Sequence, residues 1–545
     1  MTIRISKTLL GVYTASIFMI GCGSSTGLIS TPIENIDTVP LKVADLTEAE
    51  KKNWGHLDLI KDTIPGMSVD RAYAEIIGNK KGEKVIVAVL DSGMDLDHED
   101  LKGVLWTNED EIPGNNKDDD QNGYVDDVHG YNFLGTSYNE QLEHTRIVKR
   151  KLGDAETQAK AKTKLDEAYE KALQNKQQYE QIYQAVKTAD EAVRTKLGKE
   201  TYTKEELASI KSEDVSMQQQ VGMLQQMFNY GDSIPKVLEE LQDGIAYFSE
   251  SLNYNLNVDF DGRGVVGDDP YDINDLGYGN GNPKNMVADE SHGTHVAGII
   301  AAERNNGKGA NGVANNVALM SIRAVPNGDE YDKDIALGIR YAVDNGAKVI
   351  NGSFGKSFSP NAQWVYDAIK YAASKDVLFV HAAGNDGNDL DDPKNSNFPN
   401  DQVDNGPEMA DNVLTVGALT SKYGGDMVAS FSNYGNINVD VFAPGAEIYS
   451  TVPETEYEYM GGTSMAAPAV AGLAALIRSQ YPDLTAPQVK KIIMQSGIPT
   501  NTSVVLAGDP AKASSFSKIS RSGKMANAYN ALILAESVSK GKLKL

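Results

Sequence analysis

Val85-Ile86-Val87-Ala88-Val89-Leu90, followed at once by Asp91-Ser92-Gly93, is the stretch on which the fold of this chain turns. Six consecutive apolar residues without alternation mark a strand covered on both faces, the habit of a parallel sheet. Similar runs recur at 317–325, 348–350, 377–380, 413–416 and 439–442. Helical patterns lie between them. Residues 334–345 set Ile335, Ile339 and Val343 one turn apart and stop at Gly346, a C-cap residue; 361–375 carry Val365, Ile369 and Ala372 on one face. Strands alternating with helices predict an α/β fold with a doubly wound, mainly parallel sheet, whose ligands sit beyond the carboxyl ends of the strands. Asp91 stands at such an end.

One segment breaks the alternation. Residues 139–250 are rich in Gln, Lys, Glu and Ala, and Leu165, Ala172, Tyr179, Val186 and Val193 recur every seven positions. Ala168, Ile182 and Ala189 supply the offset positions of a coiled-coil-like seam, diluted by Asn175 and Lys196. Thr203 with Glu206 reads as a capping box opening a second long helix, with Val221, Leu224 and Phe228 on its apolar face. The segment is expected to be an inserted α-helical hairpin whose ends return together and which needs little from the core. It divides the globular part into 53–138 and 251–534, leaving 535–545 as a tail.

Ahead of this lies targeting text. Arg4 and Lys7 precede an apolar run at 9–20, too short for a membrane span but suited to a signal peptide. It ends in Met19-Ile20-Gly21-Cys22, which resembles the lipobox of bacterial lipoproteins; the other reading is an ordinary signal peptide with an incidental cysteine. On the first reading 1–22 is a lipoprotein signal, Cys22 the lipidated residue, 23–52 a polar tether, and the protein is exported and held to a membrane of the cell envelope. Cys22 is the one cysteine in 545 residues, so no intrachain disulfide is available. The net charge of −25 argues against nucleic acid as a partner, because phosphate binding needs an excess of Lys and Arg.

Three short signatures carry chemistry: Asp91-Ser92-Gly93; Ser291-His292-Gly293-Thr294-His295-Val296-Ala297-Gly298; and Gly461-Gly462-Thr463-Ser464-Met465-Ala466-Ala467-Pro468. The last opens a helix, so Ser464 sits where free backbone N–H groups stabilise negative charge. In the order Asp, His, Ser these motifs resemble the subtilases, over about 53–138 and 251–534. The resemblance implies a serine endopeptidase acting on polypeptides, with Ser464 as nucleophile, His292 as general base and then acid, and Asp91 orienting the imidazole. It gives Asn385, in Ala382-Ala383-Gly384-Asn385, to the oxyanion hole. It also implies substrate pairing along Ser353-Phe354-Gly355, with Ala382, Ala383 and Gly384 walling the primary specificity pocket. Asp386, Asp389, Asp391 and Asp392 read either as a lip favouring basic side chains or as a solvated loop. His292 and His295 lie three apart, but no HExxH pattern is present, and the resemblance makes the second histidine structural.

Metal sites are the next signal. Asp118-Asp119-Asp120-Gln121-Asn122-Gly123 is the first half of an EF-hand-like loop. His129 holds its twelfth position, so Asp126 or Asp127 is expected to complete a structural calcium site with Asp118, Asp120 and Asn122. The acidic residues Asp259, Asp261, Asp268, Asp269, Asp272 and Asp275 form a weaker cluster. Asp100, nine residues after Asp91, matches a calcium ligand of the resembled family, with Asn305-Asn306-Gly307 near its partner loop. The alternative to an active endopeptidase is an envelope scaffold or maturation factor with vestigial or self-directed proteolysis, binding a protein partner through the insertion. A purely structural calcium-binding lipoprotein leaves the three motifs unused.

Overall fold

The computed structural model describes residues 31–34, 36, 37, 40 and 42–545. The signal segment and Cys22 lie outside them. No helix among the described residues is long and apolar enough to cross a membrane.

Val85–Asp91 forms β1, and its alternate residues enter two different cores: Val87 and Val89 one, Ala88 and Leu90 the other. It shares a sheet with β2 (Gly130–Asn132), β3 (Val317–Arg323), β4 (Val349–Gly352), β5 (Leu378–Ala382), β6 (Val413–Leu419) and β7 (Val441–Pro444). A hairpin of β8 (Ile448–Val452) and β9 (Glu456–Met460) stands apart, followed by β10 (Ile498–Pro499). A second hairpin pairs β11 (Ser503–Leu506) with β12 (Asp509–Ser515), and β13 (Lys524–Met525) completes the main sheet. The order is β10-β13-β7-β6-β5-β4-β1-β3-β2, parallel throughout except for β10 against β13. Both faces are covered, which is why these strands read as unbroken apolar runs.

The N-terminal segment is docked rather than loose. Ile33 and Ile36 are buried, and the Asn530 side chain grips Ile33 at both its N–H (2.8 Å) and its carbonyl (2.9 Å). Thr47 and Glu50 close a capping box on α1 (Glu48–Asn53), and two short helices, α2 (Leu59–Asp62) and α3 (Val69–Ala72), follow. The tether expected over 23–52 is therefore tied to the core at Ile33 and Ile36, while Val43 stays exposed.

The insertion is not a two-helix hairpin. A short α4 (Glu143–Arg150) leads into α5 (Ala155–Leu197), 43 residues long and ended by Gly198 in the left-handed region. The return is broken into α6 (Lys204–Ala208), α7 (Val215–Met227) and α8 (Ile234–Glu250). The Thr203/Glu206 capping box is real but caps only the five-residue α6. Of the seam, Leu165, Ala172, Val186, Ala189 and Val193 are buried. They serve two clusters: Leu165 and Ala172 pack with Leu256 near the root, the others with Leu207, Leu224 and Ile234 far from it.

The root is not independent of the core. Arg146, fully buried, donates to the carbonyls of Asp329 and Glu330 and pairs with Glu143 at 2.6 Å. Glu143 in turn meets the Lys356 ammonium at 2.8 Å.

On one face of the sheet lie α9 (His292–Ala301) and, later in the chain, α12 to α14. On the other lie α10 (Asp332–Asp344) and α11 (Ala362–Ser374). α12 (Thr463–Gln480) runs under the centre, with α13 (Ala486–Ser496) and α14 (Ala528–Ser539) beside it. Ala535 and Val538 are buried, so the expected tail at 535 belongs to the last helix as far as Ser539.

Candidate active site

Asp91 ends β1 and His292 begins α9. Gly293 permits their approach: a Cβ there would stand 2.0 Å from the Gly93 carbonyl oxygen. His292 Nδ1 lies 2.7 Å from Asp91 Oδ1, whose residue is only 1% exposed and also accepts the Ser92 N–H. Burial of the ring opposes its charged form, but the Asp91 carboxylate outweighs this, so His292 titrates above its ordinary value. His295, buried one turn on, accepts no such partner. Its Nε2 faces the carbonyls of Ile448 and Glu458, which makes it a structural tie to the β8–β9 hairpin.

Ser464 is the second residue of α12. Its hydroxyl donates to the Ser353 carbonyl at 3.3 Å and forms no hydrogen bond with His292 among the described residues. Pro468 sits in the second turn of the helix rather than the first, so it has no N–H for the Ser464 carbonyl. That carbonyl takes the Ser353 hydroxyl instead, at 2.9 Å. Asn385 Oδ1 accepts both the N–H (2.8 Å) and the hydroxyl (2.9 Å) of Thr463, which fixes its amide, and Nδ2 makes no hydrogen bond among the described residues. A Cβ added to Gly462 would lie 3.4 Å from Asn385 Nδ2 and 3.5 Å from the Ser464 nitrogen. The absent side chain thus leaves a small space faced by two N–H donors, an arrangement able to stabilise a negatively charged oxygen.

Two cavities meet at Phe354 and Gly355. One, of about 280 Å³, is lined by Asp91, His292, Asn327 and Ser353; the other, of about 350 Å³, by Ala382, Gly384, Asn385 and Ser464. Ser353 lines the cavity of His292 and is hydrogen-bonded to Ser464, so it links the two. Ala383 is fully buried behind the second cavity, its carbonyl held by Asn397 and Asn433. Two of the acids after Asn385 are engaged by backbone: Asp391 accepts the N–H groups of Ile437 and Asn438 from a neighbouring loop, and Asp389 that of Asp391.

A model of the subtilase family matches residues 82–516. The chain belongs to that family. It is 42% identical to the thermophilic serine proteinase of Bacillus sp. (strain AK1) over 237 residues, which are 43% of this chain and 52% of that protein. It is 40% identical to thermitase of Thermoactinomyces vulgaris over 190 residues, 35% of this chain and 61% of thermitase. The chain thus spans little more than half the length of these relatives.

Subtilases raise the question of calcium, and the structure redraws the ligand set read from sequence. Glu111, Asp120 and Asp127 bring carboxylate oxygens within 4.8 Å of one another. Glu111 was missed; it lies seven residues before the recognisable loop, in Glu109-Asp110-Glu111. It is 6% exposed and its Oε2 is buried without a partner among the described residues. None of the three forms an ion pair there, and burial pushes Asp127 up to about 6. Three clustered carboxylates with an orphaned buried oxygen and no protein cation fit a hard divalent ion.

Two expected ligands do other work. Asp118 accepts the N–H groups of Asn122 and Gly123, and Asp126 those of Gly114, Asn115 and Asn116, so both shape turns. Asn122 spends its amide on Asp120 and Asp127. Asp100 is buried and accepts from Asn306, Ala310 and Tyr457. In the weaker cluster, Asp268 is paired with both Arg263 (2.7 Å) and Lys333 (2.7 Å), so it is held by protein cations.

Proposed function

We propose that this subtilase is a serine endopeptidase in which Ser464 attacks, His292 moves the proton and Asp91 holds the ring. The observation that carries the reading is the Asp91–His292 hydrogen bond, with Ser353 lining the His292 cavity and bonded to Ser464, whose neighbour Thr463 orients the Asn385 amide. A substrate chain lies extended between Ser353–Gly355 and Ala382–Gly384, adding a strand and presenting its carbonyl to Ser464. The Ser464 hydroxyl turns about its Cα–Cβ bond from the Ser353 carbonyl toward His292 Nε2. Such hydrogen bonds commonly tighten only once substrate is bound. Oγ then bonds to the carbonyl carbon as its proton passes to His292. The oxyanion accepts from Asn385 Nδ2 and the Ser464 N–H. His292 returns the proton to the departing amine as the C–N bond breaks, leaving an ester on Ser464. Water attacks that ester, gives a proton to His292 and releases the acid, and the serine is restored. Asp91 stays ionised throughout.

Ser464→Ala should abolish peptide-ester hydrolysis and labelling by a fluorophosphonate probe, with an unchanged melting curve. Wild-type rates from that protein would remove the assignment.

Calcium held by Glu111, Asp120 and Asp127 would have a structural role, tying their loop through Tyr341, whose hydroxyl donates to Asp127 at 2.6 Å, to α10 and the sheet. Export to the cell envelope and acylation of Cys22 belong to the same reading. Metabolic lipid labelling lost in Cys22→Ser supports it, and an unlabelled wild-type protein rejects it.

A further inference from the structure

The cavity beside Ser464 is not built by the catalytic part of the chain alone. Leu142, His144 and Lys164 line it together with Gly384, Asn385 and Ser464. The last two of the three insertion residues are polar, and both have capacity to spare. Lys164, on α5, donates to the Ser357 hydroxyl at 2.6 Å and forms no ion pair among the described residues. His144, on α4, is 5% exposed, and its Nε2 is buried with no hydrogen-bond partner among the described residues. Burial, and then the Lys164 charge, push His144 down to about 4, so the ring is neutral and carries one N–H.

This wall is held in place. Glu143, next to His144, receives Lys356, and Lys356 also meets Asp332 at 2.9 Å and the Glu330 carbonyl at 2.7 Å. Lys356 directly follows Gly355, so buried ion pairs fasten the insertion to the substrate-pairing segment itself. Two carboxylates also border the cavity. Asp329 is engaged, accepting the Glu143 N–H at 2.7 Å, and Asp386 is exposed next to Asn385. Lys164 therefore remains as a cation without a counter-charge of its own, beside a buried ring that lacks a partner.

We propose that the helical insertion reads the substrate at this cavity, Lys164 and His144 selecting chains that place a carboxylate side chain, glutamate or aspartate, next to the scissile bond. The proposal rests on the endopeptidase reading and adds to it a substrate class and the residues that set it. The test uses the full chain and peptide substrates alike except for Glu, Gln, Lys or Phe immediately before the scissile bond. Glu and Gln match in volume, so their ratio reports charge alone. Wild-type enzyme should favour Glu over Gln in kcat/KM by about tenfold or more, the low end for a desolvated charge pair. Lys164→Met should erase that ratio, and Lys164→Glu should bring it below one and make Lys the preferred residue, while Ser464 in both proteins still takes the fluorophosphonate label. A wild-type preference for Phe or Lys, or a Glu/Gln ratio untouched by either variant, overturns the proposal while leaving the protease intact. If wild-type enzyme is neither labelled nor active on any peptide, the endopeptidase reading falls, and this one with it.

Discussion

His292 owes its raised pKa to Asp91, which prevails over the cost of burying a charged ring. Catalysis needs the neutral ring, so kcat/KM should rise with pH through a value above the ordinary 6.5, and its pH profile reads this directly. The same shift stabilises the fold below the unfolded value, and that contribution is lost as pH rises through the folded one. The enzyme thus becomes competent over the range in which this one contribution fades. Gly462 offers a sharper test. Its backbone is extended, a conformation open to alanine, yet a methyl group there would fill the space between Asn385 Nδ2 and the Ser464 N–H. Gly462→Ala should lower kcat by about two orders of magnitude, the scale known in subtilisin for losing one oxyanion donor. KM and melting temperature should hardly move; a wild-type kcat would show that the oxyanion does not sit there.

The helical arm divides into two parts of different worth. Its distal cluster around Val186, Leu224 and Ile234 touches nothing catalytic, whereas Arg146, Glu143 and Lys356 bind its root to the core. Replacing 181–243 by a short Gly/Ser loop keeps the contact of Tyr179 with Gly244 and should leave small-peptide hydrolysis close to wild type. Arg146→Met leaves Glu143 with a partner fewer and two carbonyls unsatisfied, and should cost about 3–5 kcal/mol in chemical unfolding. Unfolding of the truncated protein, or an unaffected Arg146→Met, would reverse this division. The sequence could not show it. The strands were legible because a doubly covered strand must be apolar at every position, and Asp91, His292 and Ser464 because each sits in a short motif. The root was illegible because its charged side chains find partners across 183 to 213 positions, Arg146 the Asp329 carbonyl and Lys356 the Glu143 carboxylate. Glu111 was hidden for a similar reason, as a carboxylate outside the loop, one that joins Asp120 and Asp127 only in the fold. The long seam misled in another way: heptads report that a helix packs, not how many pieces its partner comes in.

Excess negative charge, 25 units over the full chain, must be carried without self-repulsion undoing the fold. Arg263 and Lys333 settle part of it locally; the group at Glu111, Asp120 and Asp127 has no such help. Calcium bound there at a hundredfold excess over its Kd would add about 2.7 kcal/mol, so chelation should lower the melting temperature and hasten self-digestion. Glu111→Gln with Asp127→Asn should abolish that sensitivity, and a melting curve indifferent to chelator in the wild-type protein would refute it. The grip of Asn530 on Ile33 sets a limit of a different kind. If Cys22 carries a lipid, the leash begins there and ends at Ile33, eleven residues on, which can span at most about 36–40 Å when fully drawn out. Such an enzyme patrols a shell one protein diameter deep. It meets chains that emerge at or lie against the membrane, and those further away are beyond its reach.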